Sequence, residues 1–78
     1  MKTTIKYFGW VADAKGTSTE VVEHDYDNLD QLVNFVHAKS PALEKSSYRV
    51  SLNLSLNPTE TKLADGDEVA FLPPFSGG

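Results

Sequence analysis

Cysteine is absent from the 78 residues, which excludes disulfide staples, thiolate metal sites and cysteine nucleophiles. A chain this short must therefore hold its fold with an apolar core alone, close to the lower size limit for doing so. Basic residues are few, 7 Lys and Arg against 11 Asp and Glu, for a net charge of −4. That argues against a nucleic-acid partner, which draws on clustered Lys and Arg. No apolar run approaches the roughly 18 residues of a membrane span, and Met1-Lys2-Thr3-Thr4 leads straight into an alternating segment with no apolar signal region. The expectation is a cytoplasmic protein that engages neither membrane nor nucleic acid. Catalytic side chains are scarce as well. His24 and His37 stand apart with no HxxxH spacing, so structural roles outweigh a metal site. No Ser or Thr sits in a motif with a base, and Asp65 and Asp67 around Gly66 fall far short of a calcium loop and read as a turn. Trp10 and Tyr26 read as packing residues.

The patterning predicts an ordinary small core. Residues 4–11 are rich in β-formers, with Ile5 and Tyr7 on one face and Lys6 and Phe8 on the other. Turn residues at 13–17, with Gly16 free to take positive φ, lead to a second strand over 19–24, so the N-terminal part reads as a hairpin. Leu29, Leu32, Val33 and Val36 then fall at i, i+3, i+4 and i+7, the stripe of an amphipathic helix. Asn28 is its predicted N-cap, Gln31 the partner in a capping box, and Ser40-Pro41 its stop. Residues 48–56 alternate with period two and predict one strand, broken at Asn57-Pro58. Leu63 anchors a tight Asp65-Gly66-Asp67 turn, and Glu68–Leu72 forms the last strand.

Hairpin, helix, strand, irregular stretch and strand make an α+β fold with one helix on one face of a mixed sheet. The order suits a ubiquitin-like β-grasp, in which the last strand pairs parallel with the first at the centre of the sheet. The whole chain, 1–78, reads as one domain with an extended tail over 73–78. Strand alternation then places Ile5, Tyr7, Val69 and Phe71 beneath the helix. Phe8 and Leu72 go to the opposite face with Lys6, Glu68 and Ala70, and Leu56 joins them in a candidate docking patch.

The ending is the distinctive part. Pro73-Pro74-Phe75-Ser76-Gly77-Gly78 follows a core strand directly. Two adjacent glycines at given positions have a chance probability of about 0.5%, which sets them apart from a merely frayed end. Proline fixes φ and favours an extended, low-entropy spacer. Gly77 and Gly78 lack Cβ atoms, so their backbone fits a channel that other residues would block. The six residues reach at most about 20 Å. A terminal carboxylate is also an acyl group that needs no side chain.

The run from Leu63 to Gly78, with its Asp-Gly-Asp-Glu-Val turn and strand and its Pro-Pro-x-Ser-Gly-Gly end, resembles the C-terminus of the molybdopterin synthase small-subunit family, MoaD, within the MoaD/ThiS superfamily. Ile5-Lys6-Tyr7-Phe8-Gly9 and the Leu52-Asn53 pair resemble it too, so the likeness spans the chain. Trp10-Val11-Ala12-Asp13 departs from the Leu-Arg-Glu-like stretch with a basic residue common there. The resemblance implies a sulfur carrier in molybdenum cofactor biosynthesis. Gly78 would be adenylated by a ubiquitin-activating-like adenylyltransferase that uses ATP, then converted to a thiocarboxylate. That group would donate sulfur to a pterin precursor on the large subunit of molybdopterin synthase, in a heterotetramer of two small and two large subunits. The chain itself would bind no cofactor or metal, and the acid–base residues would belong to the large subunit. A thiamine-pathway sulfur carrier, a ubiquitin-like protein modifier and a non-chemical interaction domain are the alternatives. The channel argument makes a direct prediction. Gly77→Val leaves the fold intact but stops sulfur transfer, because branching at Cβ widens and stiffens the tail; unchanged transfer in a reconstituted assay refutes the channel.

Overall fold

The computed structural model describes residues 1–43, 48–56 and 58–74. Phe75, Ser76, Gly77 and Gly78, on which the tail chemistry rests, lie outside the described residues, as does Asn57. In chain order the elements are β1 (Lys2–Tyr7), α1 (Trp10–Lys15), β2 (Thr19–Glu23), α2 (Leu29–Lys39), β3 (Arg49–Leu52), β4 (Ser55–Leu56) and β5 (Glu68–Leu72). They build a five-stranded sheet of order β2-β1-β5-β3-β4. β1 and β5 pair in parallel, with Ile5 opposite Val69 and Tyr7 opposite Phe71; the β1–β2, β3–β5 and β3–β4 pairs are antiparallel. The predicted central parallel pair is therefore present.

One face of the sheet carries the core. Ile5, Val69 and Phe71 are fully buried and Tyr7 nearly so, together with Leu29, Leu32 and Val36 of α2 and with Leu43, Tyr48 and Leu63. Val33, at the edge of the predicted stripe, is only half-buried against this cluster. Asn28 caps α2 as predicted, but its side chain accepts from the Asp30 N–H at 2.8 Å rather than from that of Gln31. Burial, followed by the Glu20 carboxylate that accepts the phenol hydrogen at 2.8 Å, holds the Tyr7 hydroxyl well above the ordinary tyrosine range.

Two readings are corrected. The first strand ends at Tyr7, and Trp10–Lys15, read from sequence as strand end and turn, is a helical turn. Gly9 (φ 57°, ψ −135°) starts it in a conformation that side chains disfavour, and the Val11 N–H donates to the Phe8 carbonyl at 3.1 Å. Ala12 and Ala14 have high helix propensity, and Gly16 ends the turn in the left-handed region. What favours the helix over continued strand is the burial of Val11, which has no exposed surface. Trp10 keeps 36% of its surface exposed and is not a core residue.

The second correction concerns residues 48–56. They form two strands joined by a two-residue turn at Asn53 (φ 50°) and Leu54 (φ 72°). Positive φ at both turn residues is the geometry that matches the twist of antiparallel strands. Alternation hid it, because a two-residue turn preserves the period-two pattern. Asn53 holds the turn in place: its N–H donates to the Glu68 carbonyl at 2.7 Å, its side-chain oxygen accepts from the Glu68 N–H at 2.9 Å, and its side-chain amide donates to Asp67 at 3.1 Å.

Leu54 is 87% exposed and contributes no packing there, yet it adopts a left-handed backbone that costs a side-chain-bearing residue about 1–2 kcal/mol. Leu54→Gly removes that strain against an entropic cost of roughly 0.5–1 kcal/mol. The variant should melt a few degrees higher, at roughly 4–8 °C per kcal/mol for a domain of this size. A lower melting temperature in calorimetry would show that the turn is unstrained.

Candidate functional site: the tail exit and the open sheet face

The residues that precede the tail are set by β5. This strand is hydrogen-bonded to β1 on one side and β3 on the other, so its end at Leu72 cannot swing. The Asp65-Gly66-Asp67 turn fixes its other end. Gly66 (φ 89°) donates its N–H to the Lys2 carbonyl at 2.8 Å, Asp65 accepts from the Lys2 N–H at 2.6 Å, and the Asp67 carbonyl accepts from the Thr4 N–H at 3.1 Å. Beyond Leu72 the half-buried Pro73 packs on Gly9. A Cβ placed on Gly9 would lie 2.6 Å from the Pro73 ring. Gly9 thus has two reasons to be glycine, its backbone conformation and this close approach. The sequence reading did not single it out, although a glycine directly after a strand was the available signal. Pro74 is exposed and borders an open groove of about 500 Å³ whose walls include Leu29, Val33, Val50 and Pro58.

Among the described residues no helix covers the face opposite the core. Phe8 follows the Tyr7–Phe71 rung, and its N–H donates to the Phe71 carbonyl at 3.0 Å. Because Tyr7 and Phe71 point into the core, Phe8 and Leu72 turn to the open face at its tail end. Phe8 and Leu56 are each 45% exposed and Leu72 is half-buried. One rung runs Lys6–Ala70–Ser51–Leu56 across four strands. Ala70 and Ser51 on it are small and nearly buried, so they form a low floor between Leu56 on one side and Leu72 with Phe8 on the other. The structure therefore brings Phe8, Leu72 and Leu56 to one face beside the tail exit, with Lys6, Glu68 and Ala70 in the predicted company. Lys6 and Glu68 form an ion pair at 3.8 Å.

Both histidines have structural partners. His24 accepts from the Tyr26 N–H at Nδ1 (3.0 Å) and bonds the buried Thr3 hydroxyl through Nε2 (2.7 Å), while Tyr26 stacks on its ring. His37 lies 3.5 Å from the Tyr48 hydroxyl. Among the described residues no group of three His, Cys, Asp or Glu could hold a metal ion, and no helix is long and apolar enough to cross a membrane.

Comparison with known proteins decides the family. The model described as the ThiS family matches residues 5–78. The chain belongs to the ThiS family. A ThiS-family relative from Mycobacterium tuberculosis, named molybdopterin synthase sulfur carrier subunit, is 38% identical over 82 residues, covering 100% of this chain and 99% of that one. Among solved structures, small archaeal modifier protein 1 from Methanosarcina acetivorans superposes with a TM-score of 0.79 at 26% identity, over 99% of this chain and 96% of that one. A complex of subunits 1 and 2 of molybdopterin-converting factor from Helicobacter pylori contains a chain that matches with a TM-score of 0.72 at 26% identity, with 100% of both chains covered. The fold is the ubiquitin-like β-grasp that the order of elements predicted. In this ThiS-family chain, the open face and the tail exit are the two features that the core does not consume.

Proposed function

We propose that this chain is the sulfur carrier subunit of a molybdopterin synthase, with Gly78 as the residue that bears the sulfur. The observation that carries the reading is the central β5 strand. Clamped on both sides, it hands the chain to Pro73 and Pro74 from the middle of the sheet beside an apolar face, in a chain whose family match spans residues 5–78. A carboxylate is a poor electrophile. An adenylyltransferase partner would use ATP to join the Gly78 carboxylate to AMP, releasing pyrophosphate. A sulfur nucleophile would then displace AMP and leave a thiocarboxylate. Donation of that sulfur to a pterin precursor, followed by hydrolysis, returns the carboxylate, and two such donations make a dithiolene. The large subunit, paired two-to-two with this chain, would supply the acid–base groups and the channel that receives Phe75, Ser76, Gly77 and Gly78.

A second reading has its own support in the likeness to the archaeal modifier protein. The same activated terminus could be passed to a lysine amine to form an isopeptide bond. Mass spectrometry of lysine-containing peptides from the source cells separates the two, since a modifier leaves Gly-Gly remnants on other proteins.

The central test is the terminus itself. In the chain isolated from cells making the cofactor, mass spectrometry should find one C-terminal oxygen replaced by sulfur. Deletion of Gly78 should abolish cofactor synthesis without changing the melting temperature; full activity of the shortened chain ends the proposal. Docking is tested separately. Truncating an apolar anchor costs about 2 kcal/mol, roughly 30-fold in affinity. Phe8→Ala and Leu72→Ala should each weaken calorimetric binding to the large subunit by that order while both variants stay folded, and Leu56→Ala should do so less, at the rim of the patch. Wild-type affinity in the first two would move the docking surface elsewhere.

A further inference from the structure

Among the described residues the open face carries charges of both signs, most of them beside an opposite charge. Lys2 is the Cα partner of Glu23, and Lys6 pairs with Glu68. Arg49 is the exception. It is the Cα partner of Leu72, so strand alternation sends its side chain to the same face as Leu72, with β5 between it and Phe8. It is exposed, and its side chain makes no hydrogen bond or ion pair among the described residues. Arg49 also borders the groove that runs past Pro74 to Leu29, Asp30 and Val33 of α2, and Asp30 there makes no ion pair with it. A guanidinium with no partner among the described residues thus stands at the edge of the apolar patch, next to Pro73-Pro74, in a chain of net charge −4.

We propose that Arg49 is a specificity residue of the open face, and that the surface docking there is an apolar patch of the large subunit with an Asp or Glu at its rim, placed to meet Arg49. This deepens the functional reading above and rests on it. The physical argument is complementarity. Phe8, Leu72 and the Ala70–Ser51 floor accept an apolar surface of any partner and so discriminate poorly. A guanidinium that is partly dehydrated on docking must find an acceptor or its desolvation goes uncompensated. Its planar fork matches a carboxylate bidentately. Because Arg49 sits one residue position from the tail exit, the pair would also fix the rotation of the carrier on its partner, which apolar contact leaves loose. A partner with a basic or purely apolar rim would be rejected.

Calorimetric titration of the full chain against the large subunit tests this at low and high salt. Arg49→Gln should bind several-fold more weakly than wild type, and Arg49→Glu about tenfold or more weakly, by placing like charges together. Arg49→Lys should recover only part of the loss, because a point charge does not reproduce the fork. Wild-type affinity should fall with salt, and that dependence should flatten in Arg49→Gln. The acceptor must belong to the partner and not to this chain's own terminus, so the Arg49→Glu loss should persist when Gly78 carries a C-terminal amide. Disappearance of the loss in the amide overturns the proposal. So does binding of Arg49→Gln and Arg49→Glu within twofold of wild type. If the wild-type chain fails to bind the large subunit at all, the functional reading falls first and the assignment of Arg49 with it; a bound but Arg49-indifferent complex removes only the latter.

Discussion

The parallel pairing of β1 with β5 is the constraint on which the rest of the molecule depends. Parallel neighbours cannot be joined by a short turn, so everything between Tyr7 and Glu68 is a crossover that must cover one face of the sheet and return. α2 fulfils that requirement by burying Leu29, Leu32 and Val36 against Ile5, Tyr7, Val69 and Phe71. Because the pair lies at the centre of a five-stranded sheet, the last strand is held on both sides and resists fraying. A terminal segment that leaves from such a strand starts from a fixed point and direction, whereas one leaving an edge strand would start from a moving base.

The same pairing divides the labour between faces. Side chains of β1 and β5 alternate between a sealed core and an uncovered surface, and one residue past the last core rung the alternation delivers Phe8 and Leu72 to the surface together. Gly9 and Pro73 follow them after the two strands and pack on each other. The apolar face, the tail exit and the close glycine–proline contact are therefore consequences of one register. A slip of one residue in either strand would bury Phe8 and Leu72, expel Tyr7 and Phe71, and move the exit.

Small polar links keep that register. The Asp65-Gly66-Asp67 turn is tied to Lys2 and Thr4 at the start of β1, and Asn53 is tied to Asp67 and Glu68 at the start of β5. These bonds join three segments far apart in sequence at the end of the sheet opposite the tail. They tie the hairpin turn at Asn53 to the Asp-Gly-Asp turn across the sheet.

The amino-acid sequence by itself determined the elements whose pattern is local: α2 with its Asn28 cap, the bounds of β5, the Gly66 turn, the face to which each residue of β1 and β5 belongs, and the Pro-Pro and Gly-Gly character of the ending. Those follow from period, capping and turn chemistry, which act within a few residues. Tertiary structure decided what depends on distant partners. Trp10–Lys15 coils because Val11 finds a place in the core, and residues 48–56 split into a hairpin because Asn53 is held by Asp67 and Glu68 across the sheet. Beyond its own backbone conformation, Gly9 is held to glycine by Pro73, 64 positions away. Arg49 stands at the tail exit only because β3 pairs antiparallel with β5 and sets it opposite Leu72. Local propensity carries no record of such contacts, since their energy exists only once the chain has closed on itself.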